Sequence, residues 1–344
     1  MDLSKIFLKD ACPTSIGGQA VMEGIMMRGP KRTAICVRIP DGRLHIKTTQ
    51  NGKPNRFLRL PLVRGVVSFV RSLVLGTKTL TYSADVLAYF MDDDEEEEEE
   101  PGRFEKWATE KFGEEKIWNF LVALSTILAI VFSIVVFVLL PTAAIGWMSA
   151  FIKNAVVLNL IEGLLRIALL ILYIVLIAQM EDIKRVFEYH GAEHKTIHCF
   201  ENGLELTPAN AQQFYTLHPR CGTSFLMFVA VISLVLFSLF GWPSLFWRIV
   251  SRLLLLPVVA ALSFELLRWA GRSNNKLVEI LSMPGLLLQK LTTREPDDSM
   301  LEVAIAAMKA VMDPEDEPSI EGICDKDGQL IEPLVIKEKE KEKA

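Results

Sequence analysis

Two stretches of this chain, Ile117–Leu140 and Thr223–Trp242, run for 24 and 20 residues without a single charge. A helix of about 20 apolar residues is long enough to cross a hydrocarbon core of about 30 Å, and lipid tolerates few other backbone arrangements. The chain is therefore expected to be an α-helical integral membrane protein. Two further stretches bring the count to about four spans. Ala155–Met180 has the length and carries Glu162 and Arg166 at i, i+4, where the two charges can neutralise each other inside the bilayer. Ile249–Ala270 carries Arg252, Glu265 and Arg268 towards its ends and leaves Leu253–Phe264 uncharged; it works as a span if the arginines snorkel and Pro257 kinks it. A hydrophobic fraction of 51% and a mean hydropathy of +0.30 point to the same class.

The formal net charge of −5 has one source, the run Asp92–Asp94 and Glu95–Glu100, without which the chain is weakly basic. That run repels itself, ends at Pro101–Gly102, and reads as a linker over 92–102. No basic tract with interleaved aromatics is present, so nucleic acid is not an expected partner; the lipid bilayer is. Arg103, Lys106, Lys111 and Lys116 precede the first span, while the next short loop holds only Lys153. Lys184, Arg185, Lys195 and Arg220 lie between the second and third spans, Arg248 after the third, and Arg272 and Lys276 after the fourth. An excess of cations marks the cytoplasmic side. With no apolar core of a signal peptide in the first sixteen residues, the expectation is a multi-pass plasma-membrane protein with both termini in the cytoplasm.

The chemistry is concentrated between Tyr189 and Gly222. Of five histidines and five cysteines in the chain, His190, His194, His198 and His218 and Cys199 and Cys221 fall in this one segment. In a helix, His190, His194 and His198 follow one another at i, i+4 and i+8, stacking three imidazoles on one face, where neighbours can share a metal ion. His190-x-x-Glu193-His194 has the order of an inverted zinc-protease motif, in which the glutamate is the general base. His218-x-x-Cys221 supplies a second pair with ligand spacing, and Pro219 and Gly222 turn it back towards the helix. The divalent ion expected is zinc, held by His190, His194, His218 and Cys221, with Arg220 steadying negative charge. An odd cysteine count without regular disulfide spacing fits a reducing compartment, where thiols stay available to metal. A solvated helix face and a structural site closed by four ligands, with His198 and Cys199 among the candidates, are the plainer readings.

The other segments meet this one at the cytoplasmic face. Gly17–Pro30 punctuates apolar residues and methionines with glycine and leaves only Glu23 and Arg28 charged, which suits either an irregular packed loop or a docking segment for a protein partner. Thr33–Ile39 and Arg43–Thr48 alternate around Pro40-Asp41-Gly42 and predict a β-hairpin. Leu62–Leu80 carries Arg64, Arg71 and Lys78 seven apart on an apolar helix, as for a helix lying on the membrane surface or packed in the cytoplasmic part. Met283-Pro284-Gly285 is expected to interrupt the chain before a helix from about Ser299 to Met312. The regions are then 1–91, a cytoplasmic N-terminal region; 92–102, the acidic linker; 103–272, a four-span membrane domain with the His-rich loop 181–222; 273–312, cytoplasmic helices; and 313–344, a disordered tail. Glu265, close to the cytoplasmic end of the last span, is a further candidate ligand or a partner of Arg268.

Four blocks carry a resemblance: Gly17–Pro30, Glu188–Lys195 (Glu-Tyr-His-Gly-Ala-Glu-His-Lys), His218–Phe225 (His-Pro-Arg-Cys-Gly-Thr-Ser-Phe) and Pro284–Asp298. In this order they resemble the YqhQ-like bacterial membrane proteins over roughly residues 14–312. The resemblance implies Glu23, Arg28, His190, Glu193, His194, His218, Arg220 and Cys221 as motif residues, and a metal-dependent enzyme as the activity. From the residues, the expected reaction is metal-assisted hydrolysis at the membrane face. A zinc-stabilised scaffold or assembly factor is the alternative, and transport through Glu162 and Arg166 a third.

Overall fold

The computed structural model describes residues 6, 11–52, 60, 63–91, 113–239, 244–271, 273, 275–312, 319–326 and 328–335. The acidic run at 92–100 and the lysine-rich end of the chain lie outside the described residues.

The glycine- and methionine-rich segment is not an irregular loop. It forms a hairpin of β1 (Gly17–Val21) and β2 (Gly24–Arg28) closed by Met22 and Glu23. Glu23 sits at φ 47°, a conformation that non-glycine residues seldom adopt, and is held there from several sides. Its carbonyl accepts the Arg38 N–H at 2.8 Å, and its carboxylate is gripped by the Arg185 guanidinium and by Tyr189 Oη at 3.3 Å. The expected hairpin follows as β3 (Arg32–Arg38) and β4 (Leu44–Gln50).

Part of the tail expected to be disordered continues this sheet. β5 (Glu321–Cys324) pairs antiparallel with β4, and β6 (Leu330–Pro333) with β5, giving a six-stranded antiparallel meander in the order β1 to β6. The charged end of the tail dominates its composition, but Gly322-Ile323-Cys324 just upstream has side chains to bury: Ile323 and Cys324 are 3% and 0% exposed.

Strand alternation splits the apolar residues between two faces. Ile25, Met27, Ala34, Cys36, Leu44, Ile46 and Cys324 belong to one core with α5 (Glu181–Glu201) and α10 (Asp298–Met312), including Tyr189, Ile197, Leu301, Ala304 and Met308. Val37, Ile39 and Ile323 face the other way, onto Tyr82 and Val86 of α1 (Val63–Met91). Fully burying an aliphatic side chain of this kind contributes about 1.5–3 kcal/mol. Both faces of the sheet are covered, so the hairpin is not left to stand alone.

Helix α1 has 29 residues and does two jobs. Its later turns cover the sheet. Its first turns pack against an apolar helix, where Gly65 abuts the Ala261 backbone and Arg64 grips Glu265. Phe69 stacks on Phe225 with ring centroids 5.3 Å apart. Helix α1 thus packs between the sheet and an apolar helix, and the pair with Arg64 takes Glu265 away from the histidines.

Among the described residues, three helical stretches are long and apolar enough to cross a membrane: Ala123–Met148, Ala155–Ile177 and Phe246–Ala270. The first is α2 (Glu114–Ile134), a π-helical turn (Val135–Leu139) and α3 (Leu140–Met148) in one run. The wide turn precedes Pro141, which lacks an N–H and would crowd the carbonyl one turn back in a regular α-helix. The others are α4 (Ala155–Ile177) and α8 (Leu245–Ala270), the latter continuous through Pro257. The segment expected as the third span forms α7 (Gly222–Ser238), an apolar helix of 17 described residues. A short α6 (Pro208–Ala211) follows α5, and α9 (Lys276–Thr292) runs unbroken through Pro284, where an interruption was expected. Asn275 caps α9 by accepting the Leu277 N–H.

Candidate metal centre

Helix α5 is continuous across Gly191, and the connection between α9 and α10 explains why glycine stands there. A Cβ at 191 would lie 1.9 Å from the Arg294 carbonyl oxygen, and the Arg294 N–H donates to the Phe187 carbonyl at 2.9 Å. Glycine lets that strand of backbone lie flat on the helix; it does not end it.

The predicted imidazole stripe forms. His190 and His194 rings are 4.5 Å apart, and His218 enters between His194 and His198 at 5.6 and 4.6 Å from each. The environments then separate them. His190 Nδ1 lies 2.8 Å from the Thr292 carbonyl, and His194 Nδ1 is hydrogen-bonded to the Thr216 carbonyl. A carbonyl can only accept, so both rings carry their proton on Nδ1 and present a lone pair on Nε2. His190 Nε2 faces Cys221 Sγ at 3.2 Å, and His194 Nε2 is buried with no hydrogen-bond partner among the described residues.

Cys221 is the N-cap of α7, with Sγ 3.0 Å from Thr223 Oγ1 and accepting the Thr223 N–H at 3.4 Å. Burial pushes its thiol up, but the His194 ring and the two Thr223 bonds outweigh that and leave it below the usual thiol range. Burial pushes His194 down to about 4, which keeps it in the neutral, ligating form. Donor atoms of His190, His194 and Cys221 all lie within 4.8 Å of one another. Two donors at about 2.1 and 2.3 Å from one ion stand about 3.6 Å apart, so the group can hold a metal ion with little movement. Three protein donors leave a tetrahedral ion one position short.

Glu193, the residue expected as general base, is 5% exposed and lies beside the triad. Its Oε1 accepts the Gly18 N–H at 2.9 Å, and a Cβ at Gly18 would come within 2.9 Å of the Glu193 carboxyl carbon. Strand β1 therefore reaches the site only because residue 18 is glycine. Burial pushes the Glu193 carboxyl up to about 7, with His190 acting against it.

The remaining expected residues are placed elsewhere. His218 Nδ1 accepts the Arg220 N–H at 3.3 Å, while its Nε2 is 3.9 Å from Glu201 Oε2. His198 Nε2 lies 3.0 Å from the Leu217 carbonyl, and Cys199 Sγ donates to the Glu205 carbonyl. Arg220 grips Glu201 and donates to the Thr14 carbonyl at 3.0 Å, so it fastens the N-terminal lead-in to the end of α5 and does not point at the triad. Burial works against the Glu201 charge, yet the nearby His218 ring and hydrogen bonds from Arg220 and Thr14 bring it down to about 2. Glu23 anchors the β1–β2 turn as described, Arg28 is exposed at the other end of that hairpin, and Glu265 pairs with Arg64.

Two kinds of residue escaped the sequence reading. The carbonyls of Thr216 and Thr292 set the tautomers, and no side-chain pattern announces a carbonyl. Gln289 is completely buried: its amide accepts the His218 N–H at 2.9 Å and donates to the His218 carbonyl at 2.9 Å and Ser224 Oγ at 2.8 Å. It fixes the loop that delivers Cys221, and lies within the Pro284–Asp298 block already singled out.

The family described as protein of unknown function (DUF1385) matches residues 60–314. The protein described as uncharacterized protein YqhQ of Bacillus subtilis (strain 168) is 33% identical over 309 residues, which cover 88% of this chain and 94% of that protein. No solved structure matches the chain.

Proposed function

The chain belongs to the YqhQ-like DUF1385 family, and from that premise we propose that it is a membrane protein holding one zinc ion on its cytoplasmic face through His190, His194 and Cys221. The observation that carries this is the pair of imidazoles locked by main-chain carbonyls so that both Nε2 lone pairs turn towards one thiol. Neutral imidazole and thiolate suit zinc better than magnesium or calcium, which take oxygen donors.

The reaction class we assign is metal-assisted hydrolysis. Zinc held by His190, His194 and Cys221 would supply Lewis acidity there. Glu193 would serve as the general base toward the attacking water, and the Gly18 N–H holds its carboxyl in place for that. Arg220 is no longer assigned to charge stabilisation, because Glu201 occupies it. The cytoplasmic location rests on the cation distribution between the apolar segments.

A scaffold role is the second reading, favoured by one feature: the triad and the Thr292 carbonyl that locks His190 tie α5, α7 and the end of α9 at a single buried point. Elemental analysis of the detergent-purified protein tests both. Hydrolysis predicts one zinc per chain in the wild type, loss in His194→Ala and Cys221→Ala, retention in Glu193→Gln, and loss of activity in Glu193→Gln. A scaffold predicts the same metal pattern with function intact in Glu193→Gln. A wild type without stoichiometric metal refutes both.

A further inference from the structure

A second polar cluster lies on the apolar helices, well away from the metal centre, and has the opposite character. Glu162 of α4 and Arg252 of α8 each stand seven residues past the first residue of their helix, Ala155 and Leu245, roughly 10 Å along the axis, so they meet at one depth. Ser233 of α7, beside them, is eleven residues beyond Gly222 and so roughly 16 Å along that helix from the Cys221 end.

Glu162 is 1% exposed and its carboxylate is saturated. Arg252 bonds both oxygens at 2.5 and 2.7 Å, Arg166 bonds Oε1 at 2.7 Å, and Thr142 Oγ1 donates to the same oxygen at 3.0 Å. One carboxylate thus faces two guanidinium groups. Arg248, one turn before Arg252 and 8% exposed, lies within electrostatic reach of all three. Arg166 Nε is buried without an acceptor among the described residues. Glu162, Arg166 and Arg252 line a cleft between α4, α7 and α8 that also receives Asn159 and Ser233, and the Phe237 ring lies 5.5 Å from the Arg252 guanidinium.

An excess of cations among apolar helices is strongly unfavourable unless an anion completes it. Guanidinium forks match the oxygens of a phosphate group, and roughly 10 Å from the helix ends is a depth that a lipid phosphate or a dissolved one can reach. The geometry points to a binding site for a phosphate-class oxyanion in this cleft, with Arg166 and Arg252 as its ligands and Glu162 as the internal counter-ion that orients them.

The test uses the full chain in an uncharged detergent, titrated calorimetrically with inorganic phosphate, with dihexanoyl phosphatidylglycerol and with dihexanoylglycerol, which lacks the phosphate. Binding of either phosphate-bearing probe, none of dihexanoylglycerol, and a weakening of at least about tenfold in Arg166→Gln and Arg252→Gln are expected. Arg166→Lys and Arg252→Lys keep the charge, lose the fork, and give the same comparison if a glutamine variant does not fold. Glu162→Gln is expected to tighten binding, and its unfolding temperature to rise more with the probe than that of the wild type. Inorganic phosphate binding as well as the lipid identifies a free anion as sufficient; binding of the lipid alone identifies a headgroup. Absence of binding by both phosphate probes, or equal affinity in wild type and all arginine variants, overturns the site.

Discussion

The histidine–cysteine triad and the Glu162–Arg166–Arg252 cluster are both buried polar groups that the fold assembles from distant segments, yet they are incomplete in opposite senses. At the triad, main-chain carbonyls take up every ring proton and leave lone pairs facing one another, an arrangement that a cation completes. At the cluster, one carboxylate faces two guanidiniums, and an N–H is left over, an arrangement that an anion completes. A buried site therefore declares the sign of its ligand through the groups left unsatisfied, more than through the residue types in it.

Substitutions that reverse or relieve each deficit should sharpen this contrast. The largest effect is expected at the triad: His194→Ala or Cys221→Ser removes one of three donors and should lower zinc affinity by at least about a hundredfold, measured by competition with a chromophoric chelator. At the cluster, Glu162→Leu leaves two guanidiniums without their carboxylate and should destabilise the protein by about 3–5 kcal/mol, read from unfolding in detergent. The same change should leave zinc stoichiometry unaltered; loss of zinc there would show that the two regions are not independent.

Smaller effects are expected where the frame of the triad is touched. Gly191→Ala sets a methyl against the Arg294 carbonyl and should cost about 1–3 kcal/mol, with zinc retained more weakly. Lowering the pH should act through His218 and Glu201. Burial pushes His218 down to about 3, so the unfolded chain takes up its proton first, and stability falls as pH drops from about 6.5 towards 3. Glu201, brought down to about 2, contributes stability that is lost between about 4.5 and 2. His198, Arg220 and Thr14 face this pair, and Glu201→Gln should remove the lower part of the acid transition while sparing the upper. The smallest perturbation is chemical: Cys12 is free and exposed, and a membrane-impermeant maleimide should label it in inverted vesicles and not in right-side-out ones.

The sequence was informative where a short-range period set the outcome. Helical spacing put His190 and His194 on one face, alternation around Pro40-Asp41-Gly42 predicted β3 and β4, and uncharged length picked out the apolar helices. It was uninformative where a distant element decided. Glycine-rich residues 17–28 become strands because β3 and α5 give them a surface, and Ile323 and Cys324 leave their charged neighbourhood because β4 has an edge to pair. Which histidines join Cys221 depended on carbonyls at Thr216 and Thr292, and the full partner set of Glu162 on Arg252, ninety positions away. Arg220 looked functional by its place beside Cys221 and Glu265 by its place near the cytoplasmic end of the last expected span, but Glu201 and Arg64 bind them in space.

The most direct test of the triad is cobalt substitution followed by absorption spectroscopy. A site of two histidines, Cys221 and one open position should give the intense visible bands of four-coordinate cobalt together with a thiolate charge-transfer band in the near ultraviolet. The charge-transfer band should vanish in Cys221→Ser, and the visible bands should shift when a small anion such as azide enters the open position. A weak six-coordinate spectrum, or a charge-transfer band that survives Cys221→Ser, would contradict the assignment of this centre.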